Sequence, residues 1–205
     1  MSDPFADLPK GHFGAIYADP PWLFETWSGG AWSDGTRSTR APHYDLAGVD
    51  ALAKLPVRSL AADDSVLFMW VTWPLLADSF KLIEAWGFTY KTCAFAWVKA
   101  KASQLEMFQD SAAVQVGLGY WTRANSEVCL LATAGKPKRL NADVRQAIIE
   151  PRRQHSRKPD CVYQRIERLV AGPYLELFAR STRPGWSSWG NQIDKFGEVN
   201  YPPAG

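Results

Sequence analysis

The chain has 205 residues, 46% of them hydrophobic, which is enough for one domain with a substantial core. No apolar run approaches the roughly 18 residues of a transmembrane helix, and the polar, proline-broken stretch Met1–Lys10 does not read as a signal peptide. A net charge of +2 and a pI of about 8.4 fall short of a strongly basic nucleic-acid coat, and the three cysteines, Cys93, Cys129 and Cys161, lack metal-type spacing and fit a reducing cytoplasm.

From the N-terminus, Asp7-Leu8-Pro9 precedes the first predicted strand. A carboxylate there can hold a ribose hydroxyl or an adenine amine, or merely sit in a surface turn. Phe13–Ala18 reads as a short buried strand that Asp19-Pro20-Pro21-Trp22 ends abruptly. Proline lacks an N–H and cannot continue a central strand, so Asp19 is expected at a sheet edge, where ligands bind in open α/β sheets. These residue types suit an attack by an exocyclic amine. Its lone pair is delocalised into the base, and the nitrogen gains positive charge as it reacts. A carboxylate accepting one N–H favours that change, and a backbone carbonyl aimed by fixed proline φ angles can accept the other. Trp22 offers a face on which a flipped base can stack. The bland alternative is a turn-capping aspartate followed by strand-ending prolines.

Leu23–Tyr44, rich in Gly, Ser and Thr, is expected to be a mobile lid over the base pocket, with Arg37 and Arg40 in reach of phosphate. Asp45–Leu55 suggests a helix ended by Pro56. Ser65–Thr72 reads as a buried parallel strand, Pro74 opens an amphipathic helix that Gly87 stops, and Phe88–Lys99 is again strand-like. Strand, helix and strand at this spacing predict a βαβ unit in which Met69, Trp70 and Trp97 are packing residues. A second mobile loop is expected over residues 100–119, followed by a strand over Glu127–Ala132.

The run Lys136–Lys158 is basic, which fits a solvated face or a phosphate-neutralising one. Pro159-Asp160 opens a helix over Cys161–Val170, which places Lys158 beside a helix N-terminus where anions are favoured. Tyr174–Arg180 and Trp186–Gln192 read as two further strands, with Glu176 a possible partner for Lys158. Trp27, Trp32, Trp186 and Trp189 lie in Gly/Ser-rich stretches and are expected to be exposed or half-exposed, as stacking surfaces are. Asp194–Gly205 reads as a poorly ordered tail.

Asp19-Pro20-Pro21-Trp22, Ser156-Arg157-Lys158-Pro159-Asp160 and the Phe178-Ala179-Arg180 to Asn191-Gln192 segment occur in the order found in one family. The chain resembles the N6-adenine methyltransferases of the MT-A type, from about Phe13 to Gln192. The resemblance implies a permuted, Rossmann-like S-adenosylmethionine-dependent methyltransferase fold. This is an α/β domain spanning residues 1–205, with a mostly parallel central sheet flanked by helices and one antiparallel edge pair. It implies a catalytic motif of Asp19, Pro20, Pro21 and Trp22, with Tyr44 and Glu127 on the substrate side. It assigns Lys158 to the methionine carboxylate and Phe178, Arg180, Asn191 and Gln192 to the ribose and adenine. Asp7, Leu8, Asp19, Thr182 and Arg183 complete the expected cofactor residues, although Thr182 and Arg183 stand where animal members have a His-Asn pair.

The implied activity is methyl transfer to a flipped-out adenine of nucleic acid, DNA preferred over RNA, by a compact bacterial or phage enzyme in the cytoplasm. The cofactor is S-adenosylmethionine, leaving S-adenosylhomocysteine, with no metal and no membrane partner. A homodimer or heterodimer is possible, since the family often works in pairs. The alternatives are an RNA N6-adenosine or DNA N4-cytosine methyltransferase, or a silent binding subunit of the same fold.

Overall fold

The computed structural model describes residues 3–22, 48–101, 121–154 and 157–196. Seven strands make one sheet: β1 (Phe13–Ala18), β2 (Ala61–Val71), β3 (Thr89–Ala100), β4 (Ser126–Ala134), β5 (Ala147–Pro151), β6 (Tyr174–Leu177) and β7 (Trp186–Trp189). Their order is β5-β3-β4-β2-β1-β6-β7. Among the described residues, three α-helices cover it: α1 (Val49–Ala53), α2 (Leu76–Ala85) and α3 (Cys161–Leu169). Among the described residues, none of these is long and apolar enough to cross a membrane.

The central strands are apolar on both faces, as a doubly covered sheet requires. Ile16, Ala18, Leu67 and Met69 face a core shared with Leu52 of α1 and Leu82 and Ile83 of α2. Alternate residues Ala15, Tyr17, Phe68 and Trp70 face the opposite core, closed by Val162, Tyr163 and Ile166 of α3. The period of two in the strands thus sorts neighbouring residues into two separate cores.

The sheet is mostly parallel, but the antiparallel pairing is internal rather than at an edge. β4 lies between β2 and β3 and runs against both. The expected βαβ unit is therefore split: β2, α2 and β3 follow one another, yet β4 separates the two parallel strands. This has a functional result, because the beginning of β4 is brought to the edge where its neighbours end. Trp97 of β3 is in register with Glu127 of β4, and Val71 with Val128.

Other boundaries differ from expectation. α1 is a single five-residue helix, shorter than Asp45–Leu55, and residues 45–47 lie outside the described set. The chain enters α2 through a 3-10 turn, Trp73–Leu75, which accommodates Pro74. β5 arises within the basic run and was not expected; it pairs in parallel with β3 and buries Ile148. Trp186 is buried against Tyr163 and Tyr174 rather than presented to solvent. The expected lid, with Trp27, Trp32, Arg37, Arg40 and Tyr44, lies outside the described residues, as do residues 102–119 of the second loop and 197–205 of the tail.

Gly135 turns the chain out of β4 with φ +64°, and a Cβ there would meet the Asp63 carbonyl oxygen at 2.5 Å. Next to it, the Lys136 backbone N–H donates to Asp64 at 2.7 Å. Gly135→Ala should lower stability by about 1–3 kcal/mol in denaturant melts; a melt matching the parent would contradict this close approach.

Candidate active site

The strand order creates a switch point at β1. The chain leaves β1 to form β2 on one side and returns much later as β6 on the other. Beyond the carboxyl ends of such neighbours a crevice opens. Asp19 follows β1 there, Phe178 and Arg180 follow β6, and Gly190, Asn191 and Gln192 follow β7. These residues, with Pro21 and Trp189, line a cavity of about 320 Å³. A smaller cavity of about 30 Å³ adjoins it and is lined by Asp19, Lys158, Glu176 and Arg180 among others.

The Asp19 turn is rigid. Trp22 donates its backbone N–H to the Pro20 carbonyl at 2.8 Å, a tight three-residue closure. That carbonyl keeps a second lone pair for another donor. The Trp22 ring is 7% exposed, packs in the α1–α2 core and donates its Nε1–H to the Trp70 carbonyl at 3.1 Å. The ring anchors the turn and leaves no open stacking face, unlike the expectation for it.

Asp19 belongs to a chain of alternating charges. Lys158 Nζ lies 3.0 Å from Asp19 Oδ1 and 3.1 Å from Glu127 Oε2. Lys99 Nζ lies 2.6 Å from Glu127 Oε1, and Arg180 approaches the other Asp19 oxygen at 4.0 Å. Burial works against the charged form of Lys158, but Asp19 and Glu127 more than offset it and hold the ammonium above the usual lysine range. Burial likewise opposes charge on Glu127, yet Lys158 and Lys99 bring its carboxyl down to about 2. Both groups therefore stay charged across the neutral range.

The segment before α3 is held by Asp160, 5% exposed, which pairs with Arg153 and, at 3.1 Å, with Arg157. Arg153 also donates to the Lys158 carbonyl at 3.2 Å. Those arginines position the Lys158 backbone, so part of the basic run serves internal structure. Phe178 is a non-glycine residue with φ +62°, a conformation that costs about 1–2 kcal/mol. It ends β6 and turns its ring between Trp86 and Trp189, making one wall of the larger cavity. Gly190 allows the β7 exit to pass close to it: a Cβ there would meet the Ala179 carbonyl oxygen at 2.5 Å.

The structure thus gathers Asp19, Pro21, Phe178, Arg180, Asn191 and Gln192 around one cavity, with Lys158 and Glu127 joined to Asp19 by ion pairs. Asp7 is exposed, Leu8 packs against the core, and Thr182 is exposed; none lines either cavity. Arg183 is buried with its guanidinium 3.9 Å from the Tyr163 ring centroid, turned to the α3 side. Glu176 does not pair with Lys158; its carboxylate accepts from Tyr163 Oη at 3.0 Å. Tyr44, His155 and Ser156 lie outside the described residues. The sequence reading missed Lys99, although a lysine closing an apolar strand is a signal for the functional edge. It also missed Asp160 as the anchor of the Lys158 segment.

The donor set suits a guest with both a nucleoside and an amino-acid end. It offers an aromatic wall, two amide side chains, a guanidinium, a carboxylate and a nearby ammonium.

A family model described as MT-A70 matches residues 13–192. The Type II methyltransferase M.MunI of Mycoplasma sp. is 34% identical, over 94% of this chain and 83% of its own length. The N(6)-adenosine-methyltransferase MT-A70-like protein of Arabidopsis thaliana is 31% identical over 93% of this chain, which spans 25% of that longer protein. The N(6)-adenosine-methyltransferase catalytic subunit METTL3 of Homo sapiens is 30% identical over 90% of this chain, which spans 29% of it.

Glu127 ties acid stability to this site. Its carboxyl ionises at about 2 when folded against an ordinary 4.5, so the stability it contributes is complete above pH 4.5 and is lost as pH falls through about 2. Glu127→Gln should flatten that acid limb in denaturant melts taken at a series of pH values. An unchanged acid limb would show that the pairs do not hold in solution.

Proposed function

Since this chain belongs to the MT-A70 family, we propose that it is an S-adenosylmethionine-dependent N6-adenine methyltransferase acting on nucleic acid, DNA in preference to RNA. The observation that carries this reading is the Asp19 carboxylate at the crevice, held between Lys158 and Arg180 and opening onto the cavity. DNA is put first because the chain matches a Type II methyltransferase over most of both lengths. The relatives named for adenosine, a ribonucleoside, are far longer than this chain.

In this mechanism Asp19 accepts one N–H of the adenine amine, and the Pro20 carbonyl accepts the other through its free lone pair. Both acceptors turn the nitrogen lone pair out of conjugation and favour the positive charge that grows on it. Trp22 keeps the turn from relaxing. Phe178, Arg180, Asn191 and Gln192 hold the nucleoside end of the cofactor, and Lys158 holds its carboxylate. S-adenosylmethionine bound there supplies a methyl group on a positively charged sulfur, ready for displacement. Reaction then depends on holding nitrogen, carbon and sulfur in line, which is a matter of positioning. We place the enzyme in the cytoplasm and allow for a second subunit to widen the nucleic-acid surface.

Purified protein given isotopically labelled S-adenosylmethionine with single-stranded DNA, duplex DNA or RNA should yield N6-methyldeoxyadenosine after digestion to nucleosides. N4-methylcytosine or N6-methyladenosine from RNA would reassign the substrate. Cofactor binding without any product would favour a silent binding subunit. Asp19→Asn should lower kcat by about 10²–10³-fold, the scale seen when a polar group aimed at the developing charge is lost; a near-normal rate would sink the assignment. Lys158→Ala should weaken cofactor binding by roughly ten- to a hundredfold in titration calorimetry, as expected for a lost charge-assisted bond.

A further inference from the structure

Glu176 is a buried carboxyl that the mechanism above leaves unused. It is 8% exposed and lies in register with Tyr17 of β1, two residues before Asp19. On the α3 side it accepts the Tyr163 hydroxyl at 3.0 Å. Tyr17, whose own hydroxyl accepts the Trp70 indole N–H at 2.6 Å, flanks it across the sheet. Arg180 and Arg183, beyond the end of β6, bring positive charge, and Asp19 brings negative charge. Asp19 and Glu176 line the same cavity of about 30 Å³, which leaves room for a bridging water. Lys158, Arg157 and Asp160, from the segment entering α3, complete the charged groups around that cavity.

Methyl transfer creates a proton problem that this arrangement answers. The amine nitrogen forms its bond to the methyl carbon as the carbon–sulfur bond breaks and its electron pair goes to sulfur. The nitrogen is left with one proton to shed. Asp19 touches that nitrogen in the proposed mechanism, and its two oxygens face Lys158 at 3.0 Å and Arg180 at 4.0 Å in the resting site. We propose that Glu176 is the positioning acceptor for this proton, which passes from the methylated amine to Asp19, across a water in the shared cavity, and on to the Glu176 carboxylate. From there it returns to solvent past the half-buried Ser181 and Phe196, which line the same cavity. The inference rests on the methyltransferase reading above.

Glu176 has the proton affinity that the role needs. Burial drives its carboxyl up to about 7; the Tyr163 hydrogen bond and the two arginines work the other way, and the Asp19 charge adds to the rise. It is thus ionised and ready to accept above neutrality, and already protonated below. For stability, a folded pKa above the ordinary 4.5 means a contribution that is complete below pH 4.5 and is lost as pH rises through about 7.

The test compares the pH profile of the parent enzyme with that of Glu176→Gln, which keeps an acceptor for Tyr163. The parent rate should rise with pH and level off above about 7, whereas Glu176→Gln should be several-fold slower and flat across that window. An active Glu176→Gln with the parent's profile would overturn the inference while leaving the methyltransferase reading intact. A parent that transfers no methyl group to any nucleic acid would overturn both. Carboxylate ¹³C titration of Glu176 supplies a readout independent of turnover and of that variant's folding. Asp19→Asn should lower the Glu176 midpoint, because it removes the nearby negative charge; an unmoved midpoint would break the proposed connection.

Discussion

A single ammonium, Lys158, makes the site possible. Asp19 follows β1 and Glu127 begins β4, and they meet at one sheet edge, where two half-buried carboxylates without a cation between them would repel. Lys158 removes that conflict, and Lys99 and Arg180 extend the alternation at either end. The surrounding structure serves to deliver that one nitrogen. Arg153 and Arg157 bind Asp160, Asp160 fixes the entry to α3, and the Lys158 backbone is held from below. The antiparallel β4 is part of the same arrangement, because a parallel strand in its place would carry Glu127 to the opposite end of the sheet.

The lysine also links the resting site to the proposed chemistry. Its partners are acceptors only, so an incoming carboxylate competes with Asp19 and Glu127 for the same three N–H groups. Under the proposed function, ligand entry would loosen Asp19 as it fills the cavity and free an acceptor where the amine would dock. On that reading, cofactor occupancy and the readiness of the Asp19 carboxylate would be coupled through Lys158. The stiff Pro20–Trp22 closure and the strained Phe178 backbone limit how far the walls yield during that exchange.

The legible parts were those in which local chemistry alone determines structure. The apolar runs gave β1 to β4 away, and the prolines after Asp19 and before α3 marked where elements stop and start. Strand direction was not legible: nothing in Glu127–Ala132 says that it runs against its neighbours, since that depends on the connections. β5 was hidden because its apolar run is only Ala147-Ile148-Ile149, set between Arg145 and Glu150 in a basic stretch. Trp186 was misjudged from the Gly/Ser-rich composition around it and Trp22 from its place after the prolines, when each is buried by tertiary packing and its indole N–H meets an acceptor, Glu167 and the Trp70 carbonyl respectively. Of the residues at strand ends, Asp19 was readable from its position after an apolar run, whereas Phe178, Arg180, Asn191 and Gln192 came from the family resemblance. Lys99 and Asp160 act on Glu127 and on the Lys158 segment, and such partnerships appear only once the chain is folded.

The most direct measurement is a crystal structure of the protein with a bisubstrate analogue in which the adenine N6 is joined to the amino-acid and nucleoside parts of the cofactor. The account predicts the joined nitrogen within hydrogen-bond reach of Asp19, the nucleoside end in the cavity between Phe178 and Gln192, and Lys158 Nζ moved onto the analogue's carboxylate. An analogue bound elsewhere, or seated in the cavity with Lys158 still clasping both Asp19 and Glu127, would contradict it.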